Sequence, residues 1–173
     1  MQISFEPVTR DRLPLLKDWL EAPHMREWWG EPEEELGFIE DMVEGRDTSQ
    51  PFIFKLDGEP TGYIQYWFLG HHQNEKWLKD NPWLAAFPPE AIGVDLSIGK
   101  ETMLSKGVGS ATLRQFTSGL AEEGYETIII DPDTGNGRAI RAYEKAGYRP
   151  VPELKGKTGD TLIMKYHPEE ICI

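Results

Sequence analysis

The stretch "IIIDPDTGNGRAIRAYEKAGYRPV", residues 128–151, decides the fold. Its three consecutive isoleucines predict a strand that is buried on both faces. Asn136 is a candidate N-cap for the helix that follows, and Gly147 is a candidate stop for it. On that helix Ala139 and Tyr143 share one face. Because a strand over "YRPVP" comes next, the segment predicts a strand, a helix and a strand of an α/β domain.

Hydrophobic periodicity over the whole chain predicts the element order β α α β β β α β α β β, an α/β domain with a mixed sheet. The first helix has Thr9 or Asp11 as a candidate N-cap, and "APHMREWWGEP" after it is rich in turn formers. "DGEP" predicts a hairpin turn, and Gly62 in the next strand suggests a β-bulge. Residues 70–91 form a long loop, which makes them a candidate functional segment. The other strands are expected in "ISFEPV", "PFIFKL", "AIGVDLSIG" and "TLIMKY", and the other helices in "TRDRLPLLKDWLEA", "PEEELGFIEDMVEG" and "GVGSATLRQFTSGLAEEG".

The composition disfavours several classes of protein. With 39% hydrophobic residues the chain can form one folded domain, and it has no apolar run long enough to span a membrane. A net charge of −12 repels a nucleic acid backbone, and it suits either solubility or a cationic substrate. The single cysteine, Cys172, and an N-terminus without a signal peptide are typical of a cytoplasmic protein. We assign Cys172 no function. His24, His71 and His72 show no metal-ligand arrangement, so no metal is expected.

Two glycines in "MLSKGVGSATL", residues 103–113, lie between the predicted strand "AIGVDLSIG" and the helix that follows it. Gly107 and Gly109 could let a phosphate approach the free amides of the helix N-terminus, or they could form only a tight turn. The stretch is not a Walker A loop, and it is not a dinucleotide fingerprint because Thr112 occupies the third glycine position. The glycines alone leave both interpretations open.

Taken together, "SKGVGSATL" and "NGRAIRAYEKAGY" resemble the GNAT superfamily of acyl-CoA-dependent N-acyltransferases. From about residue 6 to residue 150 the chain is similar to the aminoglycoside 6'-N-acetyltransferases of that superfamily, through "DWLEAPHMREWWGEP", "LDGEPTGYIQYW", "GVDLSIGKETMLSKGVGS" and "DPDTGNGRAIRAYEKAGY". The resemblance implies one domain over residues 1–173, with a twisted, mostly antiparallel sheet flanked by helices. It implies acetyl-CoA as the cofactor, with its pyrophosphate on the glycine loop and its pantetheine arm on the later helix. Leu104 stands where the family has Gln or Arg, so backbone amides of residues 105–109 should hold the pyrophosphate. The residues that the resemblance assigns to the cofactor are Leu96, Ser97, Ile98, Ser105, Lys106, Gly107, Val108, Gly109, Ser110, Asn136, Ala139, Tyr143 and Lys145.

The resemblance also implies the catalytic and acceptor residues. Asp95 matches the family's carboxylate at the acceptor amine, and Tyr143 matches the proton donor to the leaving sulfur. The acceptor itself is expected against Trp28, Trp29, Tyr66, Asp95 and Asp131. The chemistry fits these residue types, because an ammonium must lose a proton before it attacks a thioester and the departing thiolate must gain one.

Each of these residues also has a purely structural interpretation. Asp95 could be an ordinary hydrogen-bonded aspartate, and Tyr143 could be a core aromatic. Asn136 could cap its helix and bind the cofactor arm at once. Asp131, with Asp133, could form only the turn around Pro132.

The sequence is compatible with three functions. The first is an acetyl-CoA-dependent N-acetyltransferase that acts on the 6'-amine of an aminoglycoside by direct attack in a ternary complex. The second is a related enzyme for another amine, such as a siderophore precursor, a polyamine or a protein N-terminus. The third is an acyl-CoA-binding module without turnover. The expected partner is a small-molecule amine rather than nucleic acid or a membrane, and the chain is expected to be a monomer or a homodimer.

Overall fold

A computed structural model describes residues 1–170 of the chain, so Cys172 lies outside the described residues. The strands are β1 (Ile3–Pro7), β2 (Gln50–Leu56), β3 (Glu59–Phe68), β4 (Ile92–Ile98), β5 (Ile128–Ile130), β6 (Tyr148–Pro150) and β7 (Met164–Tyr166). The helices are α1 (Leu13–Leu20), α2 (Pro23–Trp28), α3 (Pro32–Val43), α4 (Glu75–Asp80), α5 (Val108–Glu122) and α6 (Gly137–Lys145). No helix within residues 1–170 is long and apolar enough to cross a bilayer.

The strands form one seven-stranded sheet in the order β1-β2-β3-β4-β5-β7-β6. Strands β4 and β5 are parallel, whereas β1 with β2, β2 with β3, β5 with β7 and β6 with β7 are antiparallel. The prediction of a mixed, mostly antiparallel sheet with flanking helices is therefore confirmed. A parallel pair needs a crossover connection, which here contains helix α5.

The described residues fall into two compact units. The first contains Met1–Tyr66 and Leu96–Val108, and its core packs Leu16 and Leu20 of α1 against Ile39 of α3. The predicted domain over residues 1–173 stays a prediction.

The second unit contains Trp67–Asp95 and the chain from Gly109 onward. Its core includes Ile129 of β5, Leu84 and Ile163. Leu113, Phe116 and Leu120 on α5 are buried, as their helical spacing predicts.

The hairpin between β2 and β3 follows its sequence signals closely. The two residues between the strands, Asp57 and Gly58, have φ of 50° and 83°, the left-handed conformation that a two-residue hairpin turn requires. The register shifts between Phe54 and Lys55, opposite Gly62, so the predicted irregularity is confirmed. A Cβ at Gly62 would lie 2.3 Å from the Phe54 ring, so the close approach excludes a larger residue there.

Three local predictions are wrong. The turn-rich stretch after α1 contains helix α2, which begins at Pro23 without a side-chain cap. The loop over residues 70–91 contains helix α4 and 3-10 turns at Leu69–His72 and Pro82–Ala86. The first helix begins at Leu13 after a 3-10 turn, and no side chain caps it; Thr9 donates its hydroxyl hydrogen bond to Asp11 instead.

Candidate active site

Strand pairing brings Asp95 and Asp131 to the same place in the sheet. In the parallel pair, Ile92 lies opposite Ile128 and Gly93 opposite Ile129. The same offset, carried two residues further, sets Asp95 opposite Asp131. Asp95 lies within β4 and Asp131 directly follows β5, so the two side chains meet where β5 ends.

The carboxyl groups of Asp95 and Asp131 are hydrogen-bonded to each other. Such a bond between two carboxyl groups needs a proton on one of them. Burial raises the pKa of Asp131 well above its usual range, and the neighbouring charge of Asp95 and this hydrogen bond raise it further. The pair therefore keeps one proton up to a higher pH than an isolated aspartate would.

Tyr143 completes this cluster from helix α6. The helix begins where the Asn136 side chain accepts a hydrogen bond from the Ala139 amide, at 3.3 Å, so the predicted N-cap is confirmed. Two turns later, Tyr143 is buried, with 8% of its surface exposed. Burial raises the pKa of Tyr143, the carboxylates of Asp95 and Asp131 raise it further, and the Arg138 guanidinium lowers it.

The chemistry open to this cluster follows from its charges. A phenol with a raised pKa stays protonated at neutral pH, so Tyr143 can donate a proton but does not act as a base. Asp95 and Asp131 are both half-buried residues, and a carboxylate at Asp95 can attract a cation. The cluster therefore offers one proton donor and one anionic site that act on each other electrostatically.

The glycine loop has an unusual backbone conformation. Ser105 and Gly107 both have left-handed φ, 60° and 78°, and residues 105–107 are exposed. Left-handed residues between ordinary ones turn successive amides toward one side, which makes an anion-binding concavity. A Cβ on Gly107 would meet nothing within 4 Å, so the space beside its backbone is open. Helix α5 begins directly afterwards, at the buried Val108, and Gly109 and Ser110 lie half-buried in its first turn.

The other residues assigned to the cofactor differ in their exposure. Leu96 and Ile98 on β4 are half-buried, and the Ile98 carbonyl oxygen lies 2.8 Å from Nε2 of His24. Ser97 is buried, and its hydroxyl has no hydrogen-bond partner. On α6, Asn136 and Ala139 are half-buried, whereas Lys145 is exposed and its carbonyl accepts a hydrogen bond from Nη2 of Arg114 at 3.1 Å.

The aromatic residues expected at the acceptor lie in the first unit, and they differ in exposure and in the rings they pack against. Trp28 is exposed at 36% of its surface, whereas Trp29 packs against the core with its ring edge-on to Tyr63, 5.6 Å between centroids. Trp29 also lines an apolar hollow together with Ser97. Tyr66 stacks on Phe52 with 6.2 Å between the ring centroids. The contact of these three aromatic residues with an acceptor stays a prediction.

Two histidines of the segment over residues 70–91 pack against aromatic rings. His72 lies edge-on to Trp67 and to Trp77, with 5.1 Å and 5.0 Å between centroids, and His71 lies against Phe68. Within the described part of the chain, no group of three or more His, Cys, Asp and Glu side chains could hold a metal ion.

Of the residues singled out in the sequence, the structure brings together Asp95, Asp131 and Tyr143. Sequence reasoning missed Arg138, whose charge acts on Tyr143, and His24, whose ring meets the Ile98 carbonyl. Arg138 lies five residues before Tyr143 on the same helix, which is a weak sequence signal for a contact. Nothing in the sequence links His24 to β4, since 74 residues separate the partners.

The chain is similar in sequence and in fold to known acetyltransferases. A family model described as an acetyltransferase (GNAT) domain matches residues 9–155. The chain is 33% identical over 155 residues to the aminoglycoside N(6')-acetyltransferase type 1 of Klebsiella pneumoniae, covering 84% of this chain and 73% of that protein. The structure of AAC(6')-Ib in complex with paromomycin and acetyl-CoA superposes with a TM-score of 0.79 at 27% identity, covering 98% of this chain and 96% of the other. AAC(6')-Ib in complex with coenzyme A and kanamycin gives a TM-score of 0.78 at 26% identity, with the same coverage.

Proposed function

This chain belongs to the GNAT acetyltransferase family, and from that premise we propose that it transfers the acetyl group of acetyl-CoA to the 6'-amine of an aminoglycoside. The reaction is a direct attack of the amine on the thioester while both substrates are bound. The observation that carries the proposal is the cluster of Asp95, Asp131 and Tyr143, which combines an anionic site for an ammonium with a protonated phenol.

The residues of the glycine loop fit acetyl-CoA. The exposed left-handed backbone at Ser105 and Gly107, together with the start of α5, supports a site for an anionic pyrophosphate. Lys106 is exposed between them and adds a positive charge at the loop. The half-buried Asn136 and Ala139 on α6, and Leu96 and Ile98 on β4, are proposed to hold the arm that carries the thioester.

The mechanism contains two proton transfers, one from the acceptor ammonium and one to the leaving sulfur. Acetyl-CoA supplies an acetyl group that is activated as a thioester. The Asp95 carboxylate binds the acceptor ammonium and takes its proton, which leaves a neutral amine able to attack. Tyr143 holds a phenolic proton for the leaving sulfur, and its raised pKa means that the phenol is protonated at neutral pH.

An aminoglycoside is a polycation, so an acidic protein attracts it. The net charge of −12 and the paired carboxyl groups beside Tyr143 support this substrate class. Trp28, Trp29 and Tyr66 are proposed to contact the sugar rings. Within the segment over residues 70–91, Glu75, Asp80 and Glu90 are exposed, but Lys76 and Lys79 are exposed as well, so this segment adds little net charge to the acceptor site.

We also propose that the chain works in the cytoplasm as a monomer or a homodimer.

A thiol-release assay over a panel of amines tests the proposal. The protein is mixed with acetyl-CoA and kanamycin, a polyamine, a hydroxamate-type siderophore precursor or a peptide with a free N-terminus. The proposal expects free thiol and acetylated product in equal amounts with kanamycin and much less with the other amines. Turnover with only another amine contradicts the acceptor. Coenzyme A that raises Tm without thiol release from any amine contradicts the enzyme and indicates a binding module.

A further inference from the structure

The hydrogen bond between Asp95 and Asp131 has a consequence for the charge of the proposed acceptor site. Two carboxylates in contact repel each other, and two protonated carboxyl groups carry no charge for an ammonium. The hydrogen bond that the structure contains is compatible with one proton in the pair, because one group must donate and the other accept. In that state the pair carries a single negative charge.

We propose that Asp95 and Asp131 hold one proton between them in the free enzyme, with Asp131 as the donor, and that a cationic acceptor expels this proton when it binds. The inference rests on the proposed function, since it needs an ammonium at Asp95. The proton leaves the carboxyl oxygen of Asp131 and goes to solvent. Two carboxylates then face the cation.

The surroundings of the pair favour Asp131 as the proton carrier. Burial and the Asp95 charge both raise the pKa of Asp131. Asp131 lies at the end of β5, whereas Asp95 lies within β4. From helix α6, the groups that face the pair are Tyr143, which is neutral, and the Arg138 guanidinium, which acts on Tyr143. Arg138 is an exposed side chain, so water screens its charge, and it is a weak competitor for an incoming ammonium.

Expulsion follows from competition for one anionic site. A proton on Asp131 and an ammonium at Asp95 both neutralise the same negative charge, so each weakens the binding of the other. The acceptor should therefore bind more tightly as pH rises toward the point at which the free pair loses its proton. The dependence approaches tenfold in Kd per pH unit, the limit for one proton released.

The free enzyme is tested first, by carboxyl ¹³C NMR titration of wild-type protein labelled at aspartate. The inference expects one carboxyl group that titrates well above the usual aspartate range, which disappears in Asp131→Asn and moves to lower pH in Asp95→Asn. Asp133→Asn is the matched control, because Asp133 is exposed in the next turn and its Oδ1 only accepts a hydrogen bond from the Gly135 amide. A wild-type spectrum without such a carboxyl group overturns the inference.

Binding is tested next, by calorimetry of kanamycin in two buffers that differ in ionisation enthalpy. Wild-type protein and Asp133→Asn should release about one more proton per kanamycin than Asp131→Asn does, because the protonation of kanamycin itself is common to all three. Equal proton release from wild type and Asp131→Asn overturns the inference even if kanamycin binds well. Failure of kanamycin to bind wild-type protein contradicts the proposed acceptor instead, and the titration of the free enzyme then decides the proton inference.

Discussion

Asp131 is hydrogen-bonded to Asp95 across the parallel pair of strands β4 and β5. The two residues are 36 positions apart in sequence, in register with the pair Ile92 and Ile128. This contact joins the residue that we propose as the base to a second acid that shares its environment. Tyr143 lies buried beside both, so the proposed proton donor and proton acceptor share one low-dielectric cluster.

The raised pKa of Asp131 predicts how Asp131→Asn changes stability with pH. Below about pH 3.8, the reference pKa of an aspartate, this carboxyl group is protonated in both folded and unfolded chains and contributes no difference. As pH rises from there, the unfolded chain loses the proton before the folded one does, so wild-type protein loses stability until the raised pKa is passed. Urea unfolding should therefore show Asp131→Asn gaining stability relative to wild type as pH rises above the reference aspartate pKa. Asp133→Asn controls for the loss of a surface charge, and a gain that does not grow with pH contradicts the prediction.

Gly107→Val should raise KM for acetyl-CoA. The valine has to adopt φ near 78°, which costs a residue with a Cβ about 1–2 kcal/mol, and the loop is expected to move to relieve that cost. Gly45→Val is the matched control, because Gly45 has φ of 79° and, as at Gly107, a Cβ added there would meet no atom within 4 Å. Both variants should lose similar stability in thermal unfolding. Steady-state kinetics should show a raised KM in Gly107→Val alone, and equal KM values would remove the loop from the cofactor site.

Tyr143→Phe should lower kcat by about 100-fold while KM for acetyl-CoA stays within a few-fold, because the hydroxyl acts on the leaving sulfur and not on the bound arm.

The raised pKa of Tyr143 makes a second prediction for the wild-type enzyme. Because its pKa is raised, the phenol is still protonated at pH 10, and its ionisation should cause no fall in kcat there. The pH profiles of wild type and Tyr143→Phe should therefore have the same shape near pH 10. A pH profile of kcat for both proteins checks this. A Tyr143→Phe enzyme with wild-type kcat would leave the phenol a core aromatic only.

The buried hydroxyl groups of Thr117 and Tyr148 are 2.7 Å apart and connect α5 to β6. Tyr148→Phe leaves the Thr117 hydroxyl buried without this partner, which should cost about 1–3 kcal/mol of unfolding free energy. Thr117→Val alone leaves the Tyr148 hydroxyl in the same position. The double variant removes both polar groups and should be more stable than the sum of the single losses predicts. Denaturant unfolding of all four proteins checks the pair, and strictly additive losses would show that the hydroxyl groups do not interact.

Sequence reasoning located elements that carry their own local signals. Asn136 has a side chain that caps α6, and Asp57 with Gly58 makes the left-handed turn of a hairpin, so both features are confirmed. Helix α2 carried a weaker signal, because its N-cap Ala22 has no capping side chain and Pro23 in its first turn is its start signal. Helix α4 had one, since the Asn74 side chain accepts a hydrogen bond from the Trp77 amide, but six residues are too few for hydrophobic periodicity to appear.

The candidate site could be predicted only in part. The reason differs from that for the short helices, because it concerns contacts between residues that are distant in sequence. Asp95, Asp131 and Tyr143 could each be chosen by type and by resemblance. Their contact depends on strand register, which is set by the pairing of Gly93 with Ile129 and not by any local pattern. The link between His24 and Ile98 is of the same kind, because it joins residues that are distant in sequence.

The most direct test of the proposed mechanism is kcat of Asp95→Asn with acetyl-CoA and kanamycin, measured by thiol release at saturating concentrations of both. Asparagine keeps the size of the side chain and can still hold the amine by a hydrogen bond, but it cannot take its proton. The mechanism predicts a fall in kcat of about 100-fold or more relative to wild type and to Asp133→Asn, with a folded protein and an unchanged KM for acetyl-CoA. An Asp95→Asn enzyme with kcat within about twofold of wild type would contradict it.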